Sequence, residues 1–347
     1  MDEKPTHVSF VLIPRFNLIA LMTFIEPMRV ANYLSPSTLY TWDYRSPKPG
    51  NIVASNGLDV ACVALEQPES ENADIVAVCA SWGAEHYHST ELSNWLRHQE
   101  RHGARLIGIE LGVYALARAG LLANHMVTTH WSWLPGFAED FPQIDVREQL
   151  YTIDRTVMSC AGFTSGLDLM LHLITKQQGD QLAAEVANQI MHYPRRPAEG
   201  AQRHATGGID TEVHPQVRSA MALIEANIEE PVSVPDLCEQ LGVSQRQLER
   251  LFKRDTGCTI VQFYSLLRLQ YARVLLTSTH MSIREVSAAC GFNSMSYFSQ
   301  AFYKTFGKMP SAYRQSWPDN EPSPSWPGTV YSFNLRTRIQ QAQKEQQ

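Results

Sequence analysis

The residue whose place in the chain most invites chemistry is Glu110. In "RLIGIELGVYALARAGLL", residues 105–122, a short apolar run stops at a Gly-flanked polar residue and continues as an amphipathic helix. A strand that ends at a tight corner and feeds a helix presents one side chain at the carboxyl edge of a sheet, over the first-turn N–H groups and the positive end of the helix dipole. That place suits a Ser or Cys nucleophile, and a glutamate is neither. Cys79 and Cys160 have no His or acid at a recognisable nucleophile–base spacing and read as small buried hydrophobes. "GFTSG" at 162–166 lacks the spacing of a serine elbow, and the chain has no Gly-rich phosphate loop. "HQERH" at 98–102 lacks the Glu directly after its first His that a zinc-protease helix uses, and with "EHYH" at 85–88 it reads as solvated surface. No catalytic residue, metal site or cofactor is therefore expected.

The elements that position Glu110 alternate. "HVSFVLIP", "ADIVAVCA" and "RLIGI" are buried-strand patterns, "NLIALMTFIEPMRVANYL" has helical apolar spacing, and "ELSNWLRHQERHG" is a helix with a polar face. That alternation predicts an α/β domain, a flavodoxin-like parallel sheet with helices on both faces. Further on, "LYTIDRTVMSCAG" reads as a strand pair turning at Asp154. "TSGLDLMLHLITKQQG" reads as a helix with Thr164 as N-cap and Gly179 as C-cap. The first domain is assigned to residues 1–193. Residues 194–213, rich in Pro, Gly and charge, form a linker, and residues 316–347, Pro-rich and then Gln-rich, a disordered tail.

Charge divides the chain unevenly. Residues 1–213 carry 15 Lys/Arg against 24 Asp/Glu, whereas residues 214–315 carry 11 against 8. The back region alone has the sign for a polyanion. The N-terminus has neither a secretory pattern nor an apolar anchor, and six cysteines without C-x-x-C pairing suit reduced thiols, so a cytoplasmic, membrane-free protein is expected.

Residues 214–315 form the second domain, whose pattern from Pro231 onward is wholly helical and contains a repeat. Gly242 aligns on Gly291, Val243 on Phe292, Leu248 on Phe298, Phe252 on Phe302, Gly257 on Gly307 and Phe263 on Tyr313. The offset is 49 residues before the turn and 50 after it, which places one inserted residue near Asn293. Each unit joins a small apolar-faced helix to a second helix with a polar outward face, the spacing of a helix-turn-helix whose second helix enters a DNA major groove. On the first such helix Gln245, Arg246, Gln247, Glu249, Arg250, Lys253 and Arg254 can contact base edges and phosphates. On the second, Ser294, Met295, Ser296, Tyr297, Ser299, Gln300 and Lys304 can.

Gly291, Phe292, Asn293, Ser294, Ser296, Tyr297, Phe298, Phe302, Gly307, Pro310, Tyr313 and Arg314 resemble the second motif of the AraC/XylS family of transcription regulators. Ile260 departs from the Pro that many members carry in the first repeat. "IEPMRVAN", "SNGL", "GIELGVYALARAGLL", "TTHW" and "CAGFTSGLDLMLHLI" resemble the class I glutamine amidotransferase-like, PfpI-type domain that many such regulators carry. In catalytic relatives a Cys stands at the elbow, with a His after the next helix and a Glu on the first. The matching positions here are Glu110, His130 and Glu26, so the nucleophile is missing.

The resemblance implies a ligand-responsive activator of catabolic genes. It would bind double-stranded DNA, pair as a homodimer through the front domain and work with RNA polymerase. The effector site is placed at Glu26, Trp82, Glu110, Leu111, His130 and Trp131, with Glu26 beside Glu110. Two carboxylates in one enclosed site require a cation, several donors or a shared proton. With two tryptophans nearby, this points to a cationic or zwitterionic amine such as a betaine, carnitine, a methylated glycine or arginine. The alternative is an amidase or hydrolase fused to a DNA-binding module.

Overall fold

A computed structural model describes residues 4–66, 73–202, 214–256 and 258–315. The linker's second part, the tail from 316 and Gly257 lie outside the described residues. The chain divides into two compact units, residues 1–202 and 203–347.

In chain order the first unit contains β1 (Thr6–Leu12), α1 (Leu18–Leu34), β2 (Tyr40–Ser46), β3 (Gly50–Val53), β4 (Asp59–Ala64), β5 (Ile75–Ala80), α2 (Thr90–Arg101), β6 (Arg105–Glu110) and α3 (Gly112–Arg118). After these come β7 (Met126–Val127), α4 (Leu134–Asp140), β8 (Asp145–Val146), β9 (Tyr151–Asp154), β10 (Val157–Cys160), α5 (Ser165–Gln178) and α6 (Asp180–Gln189). Among the described residues one eight-stranded sheet runs β3-β4-β2-β1-β5-β6-β10-β9. Its centre, β2-β1-β5-β6-β10, is parallel, and only the edge strands β3 and β9 run antiparallel to their neighbours. This is the doubly wound, flavodoxin-like order. Every residue of β5 is buried, as a strand covered on both faces requires. One core lies beneath α1, α5 and α6, with Phe24, Met28, Leu169, Ile174 and Val186. The other lies beneath α2, α3 and α4, with Leu96, Tyr114, Leu116 and Phe137.

The capping residues account for most helix starts. Asn17 and Ser89 accept first-turn N–H groups of α1 and α2. Thr164 occupies the N-cap position of α5 but makes no capping bond; its hydroxyl instead accepts from Arg196 Nη2 at 2.9 Å. Gly179 ends α5 at φ +91, a conformation that favours glycine. Residues 192–202 are fastened to the first unit. The buried Asp168 carboxylate accepts from His192 Nε2 and from the Arg196 guanidinium and backbone N–H, and Gly200 packs on Leu150.

The second unit contains α7 (Pro215–Ala226), α8 (Val234–Gln240), α9 (Gln245–Thr256), α10 (Ile260–Ser278), α11 (Ile283–Ala289), α12 (Met295–Phe306) and α13 (Pro310–Gln315). The repeat is seen in three dimensions. Gly242 and Gly291 both take positive φ at the turns, Leu248 and Phe298 are both fully buried, and so are Phe252 and Phe302. No helix among the described residues is long and apolar enough to cross a membrane.

Gly112 is where the sheet meets α3: a Cβ there would lie 1.9 Å from the Val78 carbonyl oxygen. Gly112→Ala should cost about 3 kcal/mol or prevent folding of the first unit, because the obstacle is backbone and not a flexible side-chain end. Denaturant unfolding of the full chain measures this; an unchanged midpoint would contradict the close approach.

Candidate functional site

Strand β6 ends with Glu110 at φ +55, in the left-handed region, and α3 begins two residues later. The turn aims the side chain inward, where it is 1 % exposed. Its two oxygens have different donors: Ser81 Oγ donates to Oε1 at 2.7 Å and Asn17 Nδ2 to Oε2 at 2.9 Å. Each donor is placed by its element. Ser81 directly follows β5, which pairs with β6 in a register that sets Ala80 opposite Glu110. Asn17 caps α1 through its Oδ1 and has its amide nitrogen left for the acid. On a third side Gly162, at φ +88, is so close that a Cβ would come 2.7 Å from the Glu110 Cβ. Thr129 Oγ1 donates to the Glu110 carbonyl at 2.7 Å.

Burial raises the proton affinity of Glu110 to about 7, with the Ser81 and Asn17 hydrogen bonds opposing the rise. The acid is thus divided between its neutral and charged forms near neutrality. Burial also lifts both neighbouring thiols, Cys79 well above its ordinary value and Cys160 to about 11. Neither is a thiolate at neutral pH, so neither has the form that attacks carbon.

The other sequence-derived site residues are placed differently from one another. Trp82, next to Ser81, is half-buried. His130 is buried with Nδ1 2.8 Å from Ser132 Oγ, and its ring centroid lies 5.4 Å from that of Trp131 and 6.0 Å from that of Phe163. Leu111 is fully buried in the second core and its N–H donates to the Ala80 carbonyl. Glu26 pairs with Arg29 one turn along α1, at 2.7 Å, and its side chain is 45 % exposed. It is not among the groups that set the Glu110 proton affinity. The reason is helical rise: Glu26 is nine residues beyond Asn17, about 13 Å along the axis at 1.5 Å per residue. From α1 it is the N-cap residue, Asn17, that reaches the Glu110 carboxyl.

Asn17, Ser81, Thr129 and Gly162 were not singled out from the sequence. Asn17 carried a readable signal, a capping residue before an apolar helix. Gln202 carried none. Its side chain accepts from the Trp131 N–H at 2.7 Å and donates to Thr128 Oγ1 and to the carbonyls of Thr129 and Gln149. The last described residue of the first unit is therefore held against the segment that also carries His130 and Trp131.

In the second unit α9 and α12 each bury one face, Leu248, Leu251 and Phe252 on the first and Phe298 and Phe302 on the second. Gln245, Arg246, Gln247, Arg250 and Lys253 are exposed on α9. Gln245 Nε2 donates to Glu249 Oε1 and Gln247 Nε2 to Gln216 Oε1. Met295, Ser296, Tyr297, Gln300 and Lys304 are exposed on α12, while Ser299 is half-buried. Ser294 is exposed and caps α12 by accepting from the Tyr297 N–H. A short polar-faced helix after a tight turn, present twice, is an arrangement that lays side chains along major-groove base edges.

The family model described as "Helix-turn-helix domain" matches residues 237–316. The chain is 36% identical over 324 residues to the HTH-type transcriptional regulator GbdR of Pseudomonas aeruginosa, covering 92% of this chain and 87% of that one. It is 37% identical over 322 residues to the HTH-type transcriptional regulator CdhR of the same species, covering 92% and 94%. A solved AraC family transcriptional regulator from Pseudomonas putida aligns over 54% of this chain and 100% of its own, at 24% identity and a TM-score of 0.49. The near full-length likeness to these named regulators, together with the duplicated helix-turn-helix, places this chain in the AraC family of DNA-binding transcription regulators.

Proposed function

We propose that the first unit senses a small cationic or zwitterionic amine and that the chain thereby activates catabolic genes for that metabolite. The observation behind the effector class is the Glu110 carboxyl, fully buried and held by the neutral donors Ser81 and Asn17, with its proton affinity raised by burial to about 7. A cation brought against it supplies the counter-charge that burial denies it, whereas an anion adds to the penalty. Trp82, His130, Trp131 and Phe163 supply the aromatic faces of this reading. A quaternary or protonated amine gains about 0.5–2 kcal/mol from a suitable ring. A betaine, carnitine, a methylated glycine or arginine has this chemistry; Glu26 and Leu111 take no part in it. Two copies are proposed to pair through the first unit and, on promoter DNA, to engage RNA polymerase. The amidase alternative has no support from Cys79 or Cys160, whose protonated, buried thiols are poor nucleophiles.

Proton linkage tests the effector. A cation favours the charged form of Glu110, so its binding drives off the proton that the empty site holds below about pH 7. In calorimetric titrations of the full chain with this panel, affinity should rise with pH between about 5.5 and 7, by up to roughly tenfold per unit, and level off above. Glu110→Gln should weaken binding severalfold and abolish the slope. Tighter binding at low pH, or selective uptake of an anion, would sink the assignment.

The DNA contacts are tested separately. Two recognition helices in successive major grooves give two protected blocks about one turn, roughly 10 bp, apart for each chain. Arg246→Ala and Gln300→Ala should each relax sequence preference by about 1–3 kcal/mol at one block. Lys304→Ala should weaken all sequences alike and make the salt slope shallower by about one. Footprints confined to one groove per chain would contradict the two-helix reading.

A further inference from the structure

The second unit has two apolar cores. Val217, Leu237, Leu248, Phe252, Phe263 and Leu267 belong to the first, and Leu269, Leu276, Val286, Phe298, Phe302 and Tyr313 to the second. Helix α10 serves both, and its allegiance changes between Leu267 and Leu269. Arg268 is the residue at that change. Its guanidinium carbon lies 4.0 Å from the centroid of the Phe292 ring, and its Nε donates to the Cys290 carbonyl. Cys290, Gly291 and Phe292 form the turn of the second helix-turn-helix. The same turn touches the first lobe directly. A Cβ on Gly291, which already holds φ +69, would lie 2.9 Å from the Glu229 carbonyl oxygen and 3.0 Å from that of Ile228. On the first-lobe side this segment is fixed by Tyr264, whose hydroxyl donates to the Asn227 carbonyl and accepts from the Val232 N–H. Beside the contact is a cleft of about 360 Å³ lined by residues 226–230 and Tyr271. The two lobes therefore meet through the shared helix and a small contact of the Gly291 turn with residues 228–231, and among the described residues no continuous apolar core fixes their relative orientation.

We infer that Arg268 is a positioning residue. By clamping α10 to the turn before α12, it sets the angle between the two recognition helices and hence the separation of the two DNA blocks that one chain accepts. The inference rests on the reading that both helices enter DNA. A change of about 10° at the pivot moves a surface ~20 Å away by ~3.5 Å, and base steps are ~3.4 Å apart. The cation over the Phe292 ring and the carbonyl bond are geometry-specific, whereas lysine keeps the charge but loses the planar fork.

The test uses the full chain and a randomised duplex library, sequencing the bound fraction. The wild-type chain should select two sequence blocks at one separation. Arg268→Ala should select the same blocks at several separations, with discrimination against a one-base-pair shift reduced at least fivefold, and Arg268→Lys should fall between. Gly291→Ala, which pushes the same contact apart from its other side, should broaden the separations as well. Circular dichroism establishes that each variant is folded, and if Arg268→Ala is not, Arg268→Lys decides. A folded Arg268 variant that keeps wild-type discrimination overturns the inference, as does a uniform loss of affinity with the separation unchanged. A single block selected by the wild-type chain would overturn the two-helix reading itself and the clamp with it.

Discussion

The corner at Glu110 is the constraint on which the first unit is built. A residue with a side chain at φ +55 costs of order 1–3 kcal/mol and persists only where its surroundings leave no alternative. Those surroundings are specific here. Gly112 lies against the Val78 carbonyl so that α3 can start beside β5, and Gly162 lies against the Glu110 side chain itself. The parallel register of β5 on β6 then delivers Ser81 to one oxygen of the acid. A slip of one residue in that register would send Glu110 to the other face of the sheet and leave Ser81 without its acceptor. The site is thus a consequence of how three strands end along one sheet edge.

The electrostatic consequence is an acid whose oxygens accept from neutral donors, Ser81 and Asn17, and not from a cation among the described residues. Raising a carboxyl from its ordinary range to about 7 corresponds to roughly 3 kcal/mol in favour of the neutral form. Two neutral donors are too weak to reverse that, because in a low-dielectric interior they offset only part of the lost hydration. Asn17 links the acid to another structure, since one end of its amide caps α1 and the other end reaches Glu110. The backbone of Glu110 is held separately: its carbonyl accepts from Thr129, whose own carbonyl accepts from Gln202. The first set holds the side chain, and the second runs from the backbone to Gln202 at the end of the described unit. The two sets meet at a single residue.

Much of this was legible in the sequence, for local reasons. The central strands are continuous apolar runs, so a parallel sheet covered on both faces is implied by "ADIVAVCA" and "RLIGI" directly. Strands β2, β3 and β4 were missed because they mix exposed and buried positions, with Asp43, Asn51 and Asp59 inside them. Glu110 was readable as the corner residue because Gly108, Gly112 and an amphipathic helix flank it. Its partners were not, because which residues meet across a sheet edge depends on register and on where α1 begins. Position matching drew Glu26 into the site, and helical rise carries it away to Arg29. The capping role given to Thr164 failed for a similar reason: Arg196, 32 residues later, takes its hydroxyl.

The second unit was read more fully because a helix-turn-helix is specified almost wholly by neighbours in sequence. The shift of the repeat from 49 to 50 residues has a local structural origin. The first turn passes from Gly242 to its cap at Ser244 in two residues, whereas the second passes from Gly291 to Ser294 in three. Both caps then accept from the N–H three residues on, so the helices start alike after turns of different length. The residue after each glycine differs correspondingly. Val243 is half-buried within the first lobe, while Phe292 is buried and turns one ring face to Arg268 of α10. The two motifs are therefore alike in sequence and in their own cores but unequal in how they meet the helix between them. That inequality gives the duplicated unit a direction, because only the second turn carries an aromatic ring that the shared helix grips.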